Sequence, residues 1–187
     1  QLILRPRAKV SPEPLISTEP QRARRCVFGV SFETLREEGQ MVCGIPLVLR
    51  DMVHFLDKNG MHQRGLFRLC GSVLRTNQLR QGWDCGEGVD LEHEEDVHTV
   101  ASLLKLFLRE LPTPLVPEPY YKQLVLRYRD EVEMNRSLRE NLYQLPDDNL
   151  VILSYLIRFL SRVAAHSQSN HMPVENLATV FGPCVFQ

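Results

Sequence analysis

A single arginine set among apolar residues is the first feature of this sequence that could do chemistry. Arg68 lies in the run GLFRLCG, residues 65–71, which has a glycine at each end. The apolar members of the run can anchor a loop in a core, whereas a guanidinium is too polar to be buried without a partner. The loop is therefore expected to present one positive charge outward, where it could stabilise charge developing on another molecule. The anchoring residues are expected to be Leu66, Phe67 and Leu69.

The alternative for this arginine is an ordinary ion pair within its own domain. An acidic run follows the second predicted helix and could supply the carboxylate. The candidate partners in that run are Glu94, Glu95 and Asp96.

A second group of polar residues lies on a strongly patterned helix from Asp96 to about Glu110. Asp96 is a typical N-cap, and the apolar residues after it recur at helical spacing. The residues at i, i+4, i+7 and i+11 share one polar face. Two cations on that face repel by only a few tenths of a kcal/mol, so the pair is equally typical of a solvated surface. The face consists of His98, Ser102, Lys105 and Arg109.

The helices that would position these residues are predicted from periodicity and from helix start and stop signals. Gly60 is expected to end the first in a left-handed conformation, and the helix over 149–166 is apolar nearly all round, which predicts a central buried helix. No strand-like alternation occurs, so the fold class is all-α, a single irregular helical bundle. The predicted helices are 45–58, 72–83 with Val73, Leu79 and Trp83 inward, 96–110, 120–133, 138–145, 149–166 and a last short helix from Pro173 that Gly182-Pro183 ends.

Composition limits the function classes. The formal net charge of −1 predicts no general affinity for nucleic acid. The five cysteines are odd in number and form no CxxC pair, which favours reduced thiols in the cytoplasm. A metal site near Cys85 with His93 and His98 lacks ligand spacing, and Cys70 as a nucleophile lacks a triad, so both are weak alternatives and no metal is expected.

Residues 1–27 are interpreted as a basic, proline-containing linker. Four prolines break any helix there, and its arginines and lysine make it positively charged. It is expected to be a solvated linker, and the alternative is a tether that is autoinhibitory or has weak affinity for a membrane surface. The domain is expected to span residues 28–187.

Three segments together resemble the signature segments of RhoGAP domains, the GTPase-activating domains for Rho-family small GTPases. They are GLFRLCG at 65–71, DVHTVASLLKLFLRELPTPLVP at 96–117 and NLATVFGP at 176–183, and their order and spacing also match. The resemblance covers most of the chain, from Phe28 to Phe186. Members continue with further helices, so the C-terminal part of the domain is expected to be truncated.

The resemblance implies a role for each matching residue. Arg68 matches the catalytic arginine finger, which is inserted into the active site of a GTP-bound Rho-family GTPase. Lys105 and Arg109 match a basic pair that orders the finger loop and meets the GTPase. The partner holds GTP and magnesium, so no cofactor of the domain's own is expected. The residues expected to be structural are Gly65, Gly71, Asn176 and Pro183.

One departure from the family pattern concerns Cys184. It stands where the family has an asparagine that contacts the GTPase, and a thiol cannot replace the paired hydrogen bonding of an amide.

Taken together, the matching segments imply stimulation of GTP hydrolysis by Rho, Rac or Cdc42 proteins. The alternative is a module of the same fold that binds GTPases or other signalling proteins without accelerating hydrolysis.

Overall fold

The computed structural model describes residues 26–126 and 131–187, and helices dominate this part of the chain. The all-α class predicted from the sequence is confirmed. A short antiparallel ladder, which the sequence did not predict, pairs β1 (Met41–Val42) with β2 (Ile45–Pro46). The helices are α1 (Phe32–Glu37), α2 (Leu47–Asn59), α3 (Val73–Asp84), α4 (Val97–Arg109), α5 (Glu118–Leu126), α6 (Glu131–Leu142), α7 (Asp147–Ala165), α8 (Ser167–Asn170) and α9 (Val174–Val185).

Helix α4 lies at the centre of the core. It packs against α2, α3 and α9, and its residues Ala101, Leu104 and Leu108 are fully buried. Burial of one such leucine contributes about 2 kcal/mol. The helix begins as predicted, because the Asp96 side chain accepts a hydrogen bond from the N–H of His98 at 3.0 Å. The best-buried helix is therefore also the one that carries the predicted cations.

Helix α7 is not buried on all sides, so this part of the prediction is wrong. Val151 is 42% exposed and Ile157 is 51% exposed. Ile157 borders an apolar groove of about 280 Å³ between α7 and α9, whose walls include Leu160, Leu177 and Phe181. Periodicity predicted an apolar surface correctly, but no described residue covers this side of the helix.

Several helix ends differ from the predictions. Ser72 caps α3 as expected, accepting from the N–H of Arg75 at 3.2 Å, but Val73 is 74% exposed because the first turn faces outward. Gly60 ends α2 with φ −108°, a right-handed conformation. Helix α9 runs through Pro183 to Val185 instead of stopping at Gly182-Pro183. The helix predicted over 138–145 corresponds to α6, which begins earlier, at Glu131, and ends at Leu142.

Most of the predicted basic linker, residues 1–25, lies outside the described residues. The core includes Val27 and Phe28, which are both 4% exposed. Their N–H groups donate to one carboxylate oxygen of Asp84, at 2.7 and 3.1 Å. Among the residues that the structure describes, no helix has the length and apolar character to cross a membrane.

Candidate functional site

The loop between α2 and α3, residues 65–71, is called the finger loop here because it carries Arg68. It begins with a tight turn in which the Gly65 carbonyl accepts hydrogen bonds from the N–H groups of Arg68 and Leu69, both at 2.9 Å. Gly65 has φ +71°, which an L side chain rarely adopts, and a Cβ there would lie 2.8 Å from the Leu69 side chain. The predicted structural role of Gly65 therefore has a conformational basis.

Phe67 anchors the finger loop in the core. Its side chain is fully buried and meets the rings of Phe159 and Phe181 edge to face, with centroids 5.9 and 4.8 Å away. Its backbone has φ +70°, a left-handed conformation that costs a residue with a side chain about 1–2 kcal/mol. Burial of a phenylalanine contributes about as much or more, so the packing holds this strained conformation in place. The backbone therefore turns at Phe67 and brings Arg68 to the surface.

Arg68 is exposed, and no described residue accepts a hydrogen bond from its guanidinium. The acidic residues that could have paired with it are engaged elsewhere or make no contact with it. Glu94 accepts from Arg75 at 2.8 Å, and Asp96 accepts from the hydroxyl of Thr99 at 2.6 Å. The ion-pair alternative for Arg68 therefore finds no support in the described residues.

Leu69 does not anchor the loop as predicted. Its side chain is 45% exposed and lies over Gly65 at the surface. The two residues before Arg68 suffice as anchors, since Leu66 and Phe67 are both fully buried.

Helix α4 holds the finger loop at successive points along one face. The Lys105 ammonium donates to the carbonyl of Phe67 at 2.6 Å, and Ser102 accepts from the N–H of Gly71 at 3.1 Å. Beyond the loop, the hydroxyl of Thr99 accepts from the N–H of Ser72 at 3.0 Å. The helix residues are spaced by three, so they lie along one side of the helix, and the chain runs beside them in the opposite direction.

Thr99 has a role in this contact that the sequence analysis missed. It is fully buried, and its hydroxyl also donates to Asp96. The sequence signal for it is a hydroxyl residue three positions before Ser102, which by itself does not distinguish Thr99 from other polar residues. Asp96 was predicted only as a helix cap, yet its carboxylate also accepts from the N–H of Ser72 at 3.3 Å.

Gly71 lies directly against the backbone of α4. A Cβ at this position would lie 2.2 Å from the Thr99 nitrogen and 2.5 Å from the His98 carbonyl carbon. These are backbone atoms that cannot rotate away, so only glycine fits. The second predicted structural glycine therefore has a steric basis.

Lys105, Arg109 and Cys184 share one electrostatic environment. Burial, with a smaller effect of the Arg109 guanidinium, lowers the pKa of Lys105 below its ordinary value. Burial raises the pKa of the Cys184 thiol, and the two cations oppose that shift. Arg109 is exposed, and no described residue bonds its guanidinium, so α4 presents one cation outward and uses the other inward.

Cys184 is buried rather than presented to a partner. It is 3% exposed, and its Sγ donates to the carbonyl of Val180 at 3.5 Å. In this conformation the thiol offers a partner little surface. Pro183 beside it is exposed and lies inside α9, so it does not end the helix.

Asn176 lies in the first turn of α9. It is exposed, and its Nδ2 donates to the carbonyl of His171 at 3.4 Å, a long hydrogen bond. This contact joins the turn after α8 to α9, and the structural role of Asn176 stays a prediction.

Within the described part of the chain, no assembled site supports the weak alternatives of metal and thiol chemistry. No group of three or more potential metal ligands occurs among residues 26–126 and 131–187. His93 makes a local contact with Asp90 at 3.1 Å, and both side chains are exposed. Cys70 is exposed within the finger loop.

Comparison with known proteins places this geometry in a family. The family model described as RhoGAP domain matches residues 46–187. Rho GTPase-activating protein 22 of Mus musculus is 42% identical over 87% of this chain, and a Dictyostelium discoideum relative, Rho GTPase-activating protein gacJJ, is 43% identical over 84%. These matches cover 24% and 18% of the two relatives, so the chain spans less than a quarter of their length.

Solved structures show the same fold. The crystal structure of human Rho GTPase-activating protein 15 superposes with a TM-score of 0.81 and 25% identity, over 94% of this chain and 85% of that one. The finger loop, α4 and α9 thus lie in a fold that this chain shares with its relatives. The chain belongs to the RhoGAP domain family.

Proposed function

We propose that this chain stimulates GTP hydrolysis by a Rho-family small GTPase, with Arg68 supplied to the partner's active site. The observation that carries the proposal is an exposed guanidinium without a described internal acceptor, on a loop whose backbone is bonded at both ends. A side chain with no internal partner is free to bond a ligand outside the domain. The family relatives are named as GTPase-activating proteins, which supports the same partner class.

The chemistry follows from where charge develops during phosphoryl transfer. As the γ-phosphoryl group of GTP leaves, negative charge increases on the bridging and terminal oxygens. A guanidinium that reaches these oxygens in a site without water stabilises the transition state more than the ground state. Arginine fingers accelerate hydrolysis by small GTPases about 10³- to 10⁵-fold. GTP and magnesium belong to the partner in this scheme, so the domain needs no cofactor and has no independent catalytic activity.

Lys105 and Arg109 have different roles in the proposal. Lys105 supports the finger from inside, through its hydrogen bond to the carbonyl of Phe67. Arg109 is exposed one turn further along α4 and is the better candidate for a direct contact with the acidic or polar surface of the GTPase. Loss of Arg109 is expected to weaken association more strongly at low salt than at high salt.

The test is single-turnover GTP hydrolysis by a panel of GTP-loaded Rho, Rac and Cdc42 proteins. Arg68→Ala is expected to lose about 10³-fold or more of the stimulated rate while still binding the GTPase. Arg64→Ala is the matched control, because Arg64 is an exposed arginine in the preceding turn with no described acceptor. Full stimulation by Arg68→Ala, or an equal loss with Arg64→Ala, would contradict the proposed role of Arg68.

The second candidate is a binding module that does not accelerate hydrolysis. The observation that favours it is Cys184, a buried thiol where the resemblance implies an asparagine. Binding of GTP-loaded GTPase by the wild-type domain without any change in turnover would support this candidate. Recovery of turnover in Cys184→Asn would then identify this position as the cause.

A further inference from the structure

Asn170 is a buried polar residue at the end of α8, and every polar group of its side chain is bonded. It is 0% exposed. Its amide nitrogen donates to the carbonyls of Met61 at 2.9 Å and Val163 at 2.8 Å, and its amide oxygen accepts from the N–H of Met172 at 2.8 Å. An amide side chain has two N–H donors, so both are used. A buried amide that bonds three separate backbone segments fixes their relative positions.

The backbone of Asn170 makes a further bond to the finger loop itself. Its carbonyl accepts from the N–H of Gly65 at 2.8 Å. Gly65 is the residue whose own carbonyl accepts from Arg68 and Leu69 in the tight turn. Met61, which the side chain binds, lies four residues before Gly65. One residue therefore bonds the chain that enters the finger loop at two places.

The two ends of the finger loop are thus held by different parts of the fold. The face of α4 with Ser102 and Lys105 holds the carbonyl of Phe67 and the end of the loop. Asn170 holds the entry and is itself fixed to the last turns of α7 through Val163. The entry turn determines where the Arg68 Cα lies, because Arg68 follows Gly65 by only three residues in a turn closed by hydrogen bonds.

We infer that Asn170 is a positioning residue for Arg68, which acts by fixing the entry of the finger loop. It does not touch a partner, since it is fully buried. The inference rests on the proposed function of Arg68. Loss of the Asn170 side chain would leave the carbonyl of Met61 without this hydrogen bond and would let the turn at Gly65 move. A displacement of about 1 Å in a group that acts on a transition state can cost about 100-fold in rate.

The experiment compares Asn170→Ala with wild type in single-turnover hydrolysis at increasing concentrations of the domain. The maximal stimulated rate is expected to fall about 10- to 100-fold, while the half-saturating concentration changes by less than about threefold. Asn149→Ala is the matched control, because Asn149 is partly buried and, like Asn170, donates its side-chain amide to a backbone carbonyl, that of Leu115 at 2.9 Å. An unchanged maximal rate in Asn170→Ala, or an equal fall in Asn149→Ala, overturns the inference.

Hydrogen exchange gives a readout that does not depend on GTPase activation. In Asn170→Ala the amides of Arg68 and Leu69, which bond the Gly65 carbonyl, are expected to exchange at least about tenfold faster. The amides in the middle of α4 are expected to keep their protection. Unchanged exchange at the finger loop, or an equal increase in α4, overturns the inference in favour of a general effect on stability.

A milder variant guards against failure to fold. Asn170→Ser keeps one donor and one acceptor and is expected to give a maximal rate between those of wild type and Asn170→Ala. Should both variants be unfolded by circular dichroism, Asn170 serves folding alone and the inference is wrong. Should the wild-type domain itself not stimulate hydrolysis, the proposed function fails, and hydrogen exchange still decides whether Asn170 orders the loop.

Discussion

Replacement of Gly71 by alanine tests how closely the finger loop is held against α4. The new Cβ would lie 2.2 Å from the Thr99 nitrogen and 2.3 Å from its Cα, so the loop must move away by about 1 Å. Such a shift lengthens the hydrogen bond from Gly71 to Ser102 (3.1 Å) and that from Ser72 to Thr99 (3.0 Å) beyond normal range. Overpacking costs about 1–3 kcal/mol and each lost bond about 1 kcal/mol, so the free energy of unfolding should fall by about 3–5 kcal/mol.

Urea unfolding followed by circular dichroism measures this loss. A domain with a stability above about 7 kcal/mol, within the ordinary range of about 5–15 kcal/mol, stays folded after this loss, so the variant can also be assayed in single-turnover hydrolysis. The stimulated rate is expected to fall about 100-fold, since the finger moves with the loop. Gly88→Ala is the control, because a Cβ on Gly88 meets no atom within 4 Å. Its stability should change by less than about 0.5 kcal/mol.

The reasoning would be refuted by a Gly71→Ala variant within about 1 kcal/mol of wild type. That result would mean that the finger loop is not packed tightly against α4. The hydrogen bonds of Ser102 and Thr99 would then contribute little to the free energy of unfolding. A destabilised variant with full activity would separate the two claims. It would show that the contact between Gly71 and α4 stabilises the fold but does not position Arg68.

Three further predictions concern charge and thiol chemistry around the loop. Lys105→Met keeps the side-chain stem but loses the hydrogen bond to the carbonyl of Phe67, so the stimulated rate should fall about tenfold or more in single-turnover hydrolysis. An unchanged rate would show that Lys105 does not support the finger loop. Thiol labelling of the native domain, followed by mass spectrometry, should modify exposed Cys70 at least about tenfold faster than buried Cys184, and equal rates would contradict the described burial of Cys184. Burial raises the pKa of Asp96 but is outweighed by the hydrogen bonds it accepts, so its folded pKa lies below the unfolded value of about 3.9. The stabilisation is therefore present above about pH 4 and lost as the pH falls through the folded pKa; the difference in unfolding free energy between wild type and Asp96→Asn should shrink there, and a constant difference would exclude this linkage.

The sequence predicted best the features that depend on one element alone. Helix α4 was correct at both ends because Asp96 is a strong cap and the apolar period is regular. The exposure of Arg68 was correct because a guanidinium without a partner is expensive to bury. Leu69 was wrong because composition shows how apolar a loop is, but not which side chains its backbone turns inward.

Contacts between residues that are far apart in the chain could not be predicted from the sequence. Asn170 in a polar stretch resembles a solvated loop residue, and its partner Met61 is 109 residues away. Thr99 could not be distinguished from other polar residues until the backbone of Ser72 was placed beside it. The exposed side of α7 was likewise unpredictable, since periodicity gives the apolar surface of a helix but not the element that covers it.

At Arg68 the backbone is held by hydrogen bonds, whereas no described residue bonds the side chain, and this contrast has a kinetic consequence. Exposed side chains change rotamer in picoseconds to nanoseconds, whereas protein partners meet at rates of about 10⁵ to 10⁷ M⁻¹s⁻¹. The guanidinium therefore samples its available orientations many times between successive encounters with a partner, while hydrogen bonds at both ends of the finger loop restrain the Cα. Its search for the phosphate oxygens would not limit turnover, and the entropy lost on engagement would be that of one side chain, about 2 kcal/mol, with none required for the loop.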